Sequence, residues 1–383
     1  MKINHALAMA LSALSAGLLI SCVKPADENK AAEVDSQAVA PDSAASNSTA
    51  ATDSASAEQI VAIDISADTE KTYLTHVAKD IVIPAYADAV KQSDLLHDLA
   101  QKHCQQAPVS GDELQALRAQ WLVLAQAWAS AEMINFGPAT ASMSNLYINY
   151  YPDERGLVHS GVAELIAANP SLTAAQLADE SAIVQGVPGL EEALFANDSL
   201  NAAQCAYMVS ASAALSTRLK AIESNWQENA TTLLAIDKTA DSDQGLNQWF
   251  NSLLSLLETM KTNAIAEPLG LVGKAKGHLP AATAGQSRAI INAKLATLNK
   301  TLTDPVLIAI LGSNNQNAIA DSLSSELADT TTLLAQMPED LATADKAKQQ
   351  ELFDHFTTIT RLMKRQLIPT LGVRVGFNSN DGD

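Results

Sequence analysis

The sequence predicts an all-α protein made of two packed helical bundles. Aromatic residues make up only 4% of the 383 residues, which is too few for most all-β cores. Alanine, leucine and glutamine are abundant, and these residues favour helices. From about residue 64 onward, apolar side chains recur at the spacing of one helix face. These three observations agree on the fold class.

The charge of the chain excludes one broad class of function. Lys and Arg number 24 against 43 Asp and Glu, which gives a formal net charge of -19. A nucleic-acid-binding protein needs a basic face, and this chain lacks the cations to build one. The same acidity disfavours adhesion to anionic lipid through surface charge. We therefore expect no nucleic-acid partner.

Residues 1–21 have the pattern of a secretory signal. Lys2 precedes an apolar run, Ala6 to Ile20, which is too short for a lasting membrane span. The run ends in Leu-Ile-Ser-Cys, which resembles the bacterial lipobox, where a peptidase cuts before a cysteine that carries lipid. We predict a lipid anchor on Cys22; the alternative is an ordinary secreted protein. Val23 favours the outer membrane, facing the periplasm, by resemblance to enterobacterial lipoproteins.

Residues 22–62 are rich in Ala, Ser, Asp, Thr and Glu and almost free of large apolar side chains. Such a segment cannot bury enough surface to offset the entropy lost on ordering. It is predicted to be a flexible tether between the lipid and the folded body.

Two cysteines remain if Cys22 is lipidated. Cys104 and Cys205 form an even pair, which suggests a disulfide in an oxidising compartment. It would close a loop of about 100 residues and contribute roughly 4–5 kcal/mol in the chain-entropy model. The alternative is two free buried thiols, because spacing alone does not bring two sulfur atoms together.

The first half of the body is predicted to hold long helices and one irregular segment. A first helix runs from about residue 64 and is kinked by Pro84. A second begins near Asp112 and ends before residue 137. Residues 137–160 gather Tyr and Asn, which is typical of a site or an interface. The helices predicted beyond them cover about 160–168, 173–179 (with Thr173 as N-cap) and 201–228.

A polar segment, Asp237 to Asp243, interrupts the helical pattern. It is predicted to separate an N-terminal domain, 63–236, from a C-terminal bundle and tail, 237–383. A Gly- and Pro-rich stretch, Glu267 to Pro280, lies within the second domain. The helices predicted there cover about 244–262, 284–302, 316–336 and 345–367.

Residues 185–195 combine a helix start with two carboxylates. Pro188 suits the first turn of a helix. Glu191 and Glu192 would then also lie in the first turn, where the helix dipole favours negative charge. They are either site residues or simply helix-start charges.

The sequence lacks the standard hydrolase and nucleotide-binding motifs. It contains no His-Glu-x-x-His zinc motif and no Gly-x-Ser-x-Gly elbow. Gly270 to Gly277 is glycine-rich but lacks the spacing and the Ser or Thr of a P-loop.

Two helical pairs could supply metal ligands. His76 with Asp80, and Glu351 with His355, are each four residues apart and share a helix face. The alternative is an exposed pair without a metal.

Four segments, taken in order, resemble the imelysin family, also described as iron-regulated-protein-A-like or insulin-cleaving-membrane-protease-like. They are Trp128 with Asn135–Pro138, then Tyr151–Gly156, Gln185–Phe195 and the tail Gly376–Asp383. The resemblance spans about residues 65–383. It implies two all-helical domains, each related to a four-helix bundle, in a bacterial envelope protein often encoded with iron-uptake functions.

One position departs from the family motif, Gly-x-His-x-x-Glu. Gly186 and Glu191 match it, but the histidine position holds Pro188. A proline ring cannot ligate a metal or move a proton. The departure puts in doubt a His-dependent metal site and the peptidase activity implied by the family's name.

The resemblance places a ligand site in a cleft between the domains. Glu191 is its main candidate residue and a candidate metal ligand. Oxygen atoms of the tail could coordinate a hard cation, or the tail could cap the fold. The ligand-binding residues predicted with Glu191 are Gly186, Pro188, Phe136, Gly137, Asp153, Arg155, Asn378 and Asp381.

The leading functional hypothesis is a non-enzymatic lipoprotein that binds a ligand or partner in bacterial iron uptake. The membrane, through the lipid, and iron-uptake proteins are its expected partners. Iron or another metal ion is the suggested cofactor, and its identity stays open. The alternatives are a metal-dependent peptidase and an envelope scaffold without a small ligand.

Overall fold

A computed structural model describes residues 60–236 and 244–374. All of these residues belong to one compact unit. The regular secondary structure in the two ranges is helical and includes no strand, although an isolated bridge pairs Val109 with Leu200. The predicted all-α class is therefore confirmed. No helix in the described part of the chain has the length and apolar character needed to cross a bilayer.

Several predicted features lie outside the described residues. They are the signal at 1–21, the anchor on Cys22, the tether up to residue 59, the boundary at 237–243, and the tail with Asn378 and Asp381. The division into two domains stays a prediction.

The first long helix is interrupted where its proline lies. It comprises α1 (Ala67–His76), a π-helical turn (Val77–Val82) and α2 (Ile83–His103). Pro84 is the second residue of α2, and a proline cannot donate to the carbonyl four residues earlier. That carbonyl, on Asp80, instead accepts a hydrogen bond from Lys300 Nζ at 2.5 Å. The wider π turn accommodates the proline within a continuous helical path.

Six further helices lie in the range 60–236, before and after the irregular segment that starts at residue 137. Residues 137–143 form two short 3-10 turns. Thr173 and Asn201 begin their helices with capping boxes, and Thr173 was the predicted cap. These helices are α3 (Gly111–Glu132), α4 (Ser144–Ile148), α5 (Leu157–Ala168), α6 (Ala174–Ala178), α7 (Gly186–Phe195) and α8 (Ala202–Leu233).

The position of Glu191 and Glu192 in the first turn of their helix is a prediction that was wrong. Helix α7 begins at Gly186, so Glu191 is its sixth residue and lies in the second turn. Gly186 adopts a φ of 69°, which lets the chain turn into the helix two residues before Pro188. The helix dipole therefore does not explain the two carboxylates.

The second part repeats the combination of a π turn and a proline. Residues 262–266 and 363–367 are π turns, and Pro268 and Pro369 are each the second residue of the short helix that follows. The helices here are α9 (Leu246–Lys261), α10 (Glu267–Leu269), α11 (Ser287–Leu302), α12 (Pro305–Ser313), α13 (Asn317–Ala335), α14 (Lys346–Leu362) and α15 (Ile368–Thr370).

Helix α12 was not predicted. Asp304 starts it by accepting hydrogen bonds from the amides of Val306 and Leu307. Its nine residues are almost wholly apolar, so they carry no clear periodicity to indicate a helix.

Helix contacts run continuously through the body. Helix α2 packs between α3 and α8, and α3 also packs against α11. Helix α11 contacts α13, which contacts α14, which in turn contacts α9. The buried apolar side chains form one connected cluster across these helices. The α3–α11 contact positions the site described below.

The structure pairs Cys104 with Cys205 in a disulfide, the first of the two alternatives drawn from the sequence. Their Cα atoms lie 5.2 Å apart. Cys104 ends α2 and Cys205 lies in the first turn of α8, so the bond joins two helices that already pack together.

Candidate functional site

A cavity of about 340 Å³ lies between α3, α7 and α11 and is bordered by two loops, residues 149–156 and 278–283, and by the start of α5. We call it the Glu191 cavity. Its walls combine apolar and aromatic surface with a few ionisable groups, which is the usual composition of a small-molecule site. The aromatic, polar and ionisable lining residues described below, with the proline of the family motif, are Trp121, Trp128, Glu132, Pro188, Glu191, Glu192, Thr283 and Lys294.

Helix α3 supplies the aromatic wall. Trp121 and Trp128 are seven residues apart and share one face of the helix, together with Ala125 and Ala129. Trp121 Nε1 donates to the carbonyl of Val187 at 3.0 Å, which fixes its ring against α7. The Trp128 Nε1 atom is buried without a hydrogen-bond partner in the described structure. A buried donor of this kind is costly unless a ligand or water satisfies it.

Glu191 is the most perturbed carboxyl group of the cavity. It is only 8% exposed, and its Oε1 accepts a hydrogen bond from the Ala284 amide at 3.0 Å. Burial removes the water that would stabilise its charge and raises the pKa of Glu191 from 4.5 to about 7. The neighbouring charge of Glu192 acts in the same direction, while the backbone amides of Thr283 and Ala284 act in the opposite direction.

Glu192 ties three elements together. Its Oε1 accepts the Thr283 hydroxyl at 2.5 Å, and its Oε2 lies 2.8 Å from Nδ1 of His159. These contacts connect α7 to the 278–283 loop and to α5. Glu192 therefore has a structural role in joining these elements, whereas the carboxyl group of Glu191 is more deeply buried from water.

A buried ion pair joins α3 to α11 at the cavity wall. Lys294 Nζ lies 2.5 Å from Glu132 Oε2, and Asn149 donates to Glu132 Oε1 at 2.7 Å. Lys294 is 7% exposed. A buried pair of this kind costs desolvation and adds geometric specificity.

Hydrogen bonds of two polar side chains, Tyr151 and Asp153, fix the position of the 149–156 loop. The Tyr151 hydroxyl lies 2.9 Å from the His278 carbonyl and 3.1 Å from the Asn263 carbonyl. Asp153 is buried and accepts the backbone amides of Leu157 and Val158 at 2.9 and 2.8 Å. Asp153 thus starts α5, although it also lines the cavity.

The structure brings together only part of the predicted site. Pro188, Glu191 and Asp153 line the cavity. Arg155 is exposed and is not among the lining residues, while both carboxylate oxygens of Asp153 bind backbone amides. Gly186 is not among the lining residues.

Phe136 and Gly137 lie in the core instead of along this cavity. The Phe136 ring packs edge-to-face on Trp226, with centroids 5.3 Å apart, and also contacts Trp249. Gly137 has a φ of 61°, and a Cβ there would lie 3.2 Å from a methyl group of Leu233. These residues connect α8 and α9 through packing.

The described residues do not fit a resident metal ion. Within residues 60–236 and 244–374, no three His, Cys, Asp or Glu side chains are grouped to hold one. His76 places its two nitrogens 2.8 Å from Asp80 and 2.7 Å from Asp304, and so uses both. His355 lies 2.6 Å from Glu326, on another helix, instead of acting with Glu351.

Sequence reasoning missed Glu132, Thr283, Lys294 and His278. Two of these residues left a signal, because Glu132 and Lys294 are charged positions on otherwise apolar helix stripes. The other two lie in the Gly- and Pro-rich loop region, where no periodicity exists to place them.

Comparison with known proteins agrees with this fold. Residues 82–366 match the family model described as imelysin. The chain is similar to a crystal structure of an imelysin-like protein from Psychrobacter arcticum 273-4, with 84% identity and a TM-score of 0.82. That match covers 83% of this chain and 100% of the other.

A more distant likeness shows the fold alone. It is to a putative iron-regulated protein A precursor from Parabacteroides distasonis ATCC 8503, with 11% identity and a TM-score of 0.64. The match covers 79% of this chain and 95% of that one. No curated protein matches the chain.

Proposed function

Since the chain belongs to the imelysin family, we propose that it is a non-enzymatic binding protein of the bacterial envelope that holds a small ligand in the Glu191 cavity and serves iron uptake. The family membership supports the fold and the setting. The cavity supports the binding role. The iron role rests on the family resemblance and is the part that needs the most direct test.

One observation carries the binding role: a buried carboxyl group lines a partly open cavity of about 340 Å³. Glu191 has neutral backbone amides as its hydrogen-bond partners, and burial holds its pKa near 7. Such a group is costly for folding, and perturbed groups in clefts cluster at functional sites. The buried Trp128 N–H adds a second polar group that a ligand could satisfy.

The lining favours binding over peptide hydrolysis. The motif position that the family fills with histidine holds Pro188, which lines the cavity but offers no ligand or proton. The described residues also gather no three metal-ligating side chains. A preformed cavity of this size likewise favours a binding protein over a scaffold with a shallow, dry interface.

The sequence supports the proposed envelope location. The lipobox-like segment ending at Cys22 supports a lipid anchor, and an anchor of that kind needs no membrane-spanning helix. The Parabacteroides relative carries iron regulation in its name, which agrees with the proposed iron role.

The test is calorimetric titration of the purified protein with ferric, ferrous, zinc and copper ions and with haem. We expect saturable binding of an iron species that weakens at least about tenfold in Glu191→Gln. Glu164→Gln is the matched control, because Glu164 is an exposed carboxylate on α5 and should leave binding unchanged. Circular dichroism checks that both variants stay helical.

Two results would contradict the proposal. Binding that is equal in wild type and Glu191→Gln would remove the cavity from the function. The absence of saturable binding by every iron species would remove the iron role.

A further inference from the structure

We infer that the natural ligand of the Glu191 cavity is an organic ammonium compound, with an apolar body and a hydrogen-bond acceptor beside the cationic group. The inference rests on the proposed binding role of the cavity and not on the iron role, because the described residues offer no group of three metal ligands. Its evidence is the charge of the lining, the two indole side chains and the one unsatisfied donor.

The cavity has an uncompensated negative site. Four carboxyl groups line it: Glu132, Asp153, Glu191 and Glu192. Among the described lining residues, Lys294 is the only ammonium or guanidinium group, and it is paired with Glu132 at 2.5 Å.

The other two carboxylates are engaged elsewhere. Asp153 binds the amides at the start of α5, and Glu192 binds Thr283 and His159. Glu191, like Asp153, accepts hydrogen bonds from backbone amides only, but both oxygens of Asp153 are bound at a helix start, whereas the Ala284 amide binds one oxygen of Glu191. A ligand cation would supply the missing counter-charge through a charge-assisted hydrogen bond.

The aromatic wall suits a cation of the same kind. Trp121 and Trp128 line the cavity within two turns of α3. Indole faces attract ammonium groups more strongly than other aromatic rings do, and the attraction grows when the site is dry. The Trp128 N–H lacks an acceptor, so the ligand is expected to carry an oxygen or another acceptor near the cation.

Other ligand classes fit the lining less well. A bare metal ion would find no group of three His, Cys, Asp or Glu ligands in the described residues. An anionic ligand would meet the carboxylates of Glu191 and Glu192 without a free cation to balance them. The apolar side chains of the wall, such as Val187 and Ile290, indicate that an apolar body accompanies the charge.

The experiment compares matched probes that differ in one group. Calorimetry with the purified protein would measure 2-phenylethylamine, 2-phenylethanol, 3-phenylpropionate and the amino alcohol phenylalaninol. We expect the amine to bind at least about tenfold more tightly than the alcohol, and phenylalaninol to bind more tightly still. Glu191→Gln should remove the preference for the amine, and the control Glu164→Gln should keep it. Trp128→Phe should remove the added affinity of phenylalaninol over the amine, since it deletes the N–H donor and keeps an aromatic ring; the amine probe reports what the smaller ring costs by itself.

A second readout needs no variant. Binding of a cation beside Glu191 should ionise that carboxyl group, so titrations in two buffers of different ionisation enthalpy should show net proton release with the amine at neutral pH. The alcohol should release none. The other titratable groups that line the cavity are Glu132, Tyr150, Tyr151, Asp153, His159, Glu192, His278 and Lys294.

The outcomes separate this inference from the function on which it rests. If the alcohol, the carboxylate or an iron species binds in a Glu191-dependent way and the amines do not, the ammonium assignment is overturned and the binding function stands. If no probe of either experiment binds, both fail. Amine binding that is unchanged in Glu191→Gln and releases no protons also overturns the inference.

Discussion

Burying the ionisable Glu191 carboxyl group lowers the free energy of unfolding, and other interactions of the native structure have to compensate for this loss. The unfolded chain exposes this carboxyl group to water, where its ordinary pKa is 4.5. In the folded protein burial raises the pKa to about 7, and the amide of Ala284 offsets only part of that effect. The proposed binding role accounts for the presence of such a group. Because burial shifts its pKa, its cost in folding free energy should be measurable as pH-dependent stability.

The first prediction concerns the pH dependence of folding. Below about pH 4.5 Glu191 is protonated in both states, and its contribution to stability is fully present. As the pH rises through about 7, the unfolded state ionises first, and roughly 3 kcal/mol of stability is lost. Glu191→Gln should therefore gain stability relative to wild type by about that amount between pH 4 and pH 8, measured by urea unfolding.

The exposed Glu164 gives the control for this measurement. Glu164→Gln removes a carboxyl group with the same chemistry from the surface of α5, so its difference from wild type should stay nearly constant across the same pH range. A constant difference for Glu191→Gln as well would show that the burial of Glu191 does not shift its ionisation.

At the scale of elements, the start of α7 decides where Glu191 and Pro188 lie. Gly186 has a φ of 69°, and its backbone packs directly on the last turn of α4. A Cβ at this position would lie 2.1 Å from the Ile148 carbonyl oxygen, which is far inside contact distance. Glycine is thus required both for the backbone conformation and for the approach of two helices.

The second prediction separates these two requirements. Gly156→Ala is the control, because Gly156 has a similar φ of 65° but no atom within 4 Å of an added Cβ. It should cost only the left-handed strain, about 1–2 kcal/mol. Gly186→Ala should lower the free energy of unfolding by about 4 kcal/mol or more, since backbone atoms must also move. Equal losses in the two variants, measured by urea unfolding, would contradict the close-packing argument.

The π turns show what periodicity can and cannot reveal about an element. Pro84 predicts a kink, because it lacks the donor for the carbonyl four residues earlier. The donation from Lys300 to the Asp80 carbonyl depends on α11, which is distant in sequence, so periodicity does not reveal it. Pro268 and Pro369 have the same relation to their π turns, so the combination is a regular feature of this fold.

At the scale of the whole molecule, the disulfide links the end of α2 to the start of α8 across a sequence separation of 101. Restricting so long a loop lowers the entropy of the unfolded chain. The bond also holds two of the helices that frame the first part of the structure.

The third prediction follows from this loop length. Reduction of the Cys104–Cys205 bond should lower the free energy of unfolding by about 4–5 kcal/mol in the chain-entropy model, measured by urea unfolding with and without reductant. The double variant Cys104→Ser, Cys205→Ser should match the reduced protein and show no further response to reductant. A wild-type protein that is insensitive to reductant would contradict the proposed stabilisation.

Local chemistry in the sequence was enough to determine the fold class and most helices. Helical periodicity, the Thr173 cap and the Pro84 kink depend on neighbours a few residues away, and all appear in the structure. The resemblance to the family motif identified Pro188 and Glu191, which do line the cavity.

Only the tertiary structure decided how the site is built. Lys294 and Glu132 are 162 positions apart, yet they form one buried ion pair because α3 packs on α11. Likewise, the pKa of Glu191 depends on its burial and on the backbone amides of Thr283 and Ala284, which are more than 90 positions away in the sequence. Tertiary packing also decided that Phe136 lies in the core and that Asp153 binds the amides at the start of α5. Side chains from distant segments compete for the same space and the same hydrogen bonds, and local sequence does not show which of them occupies a position.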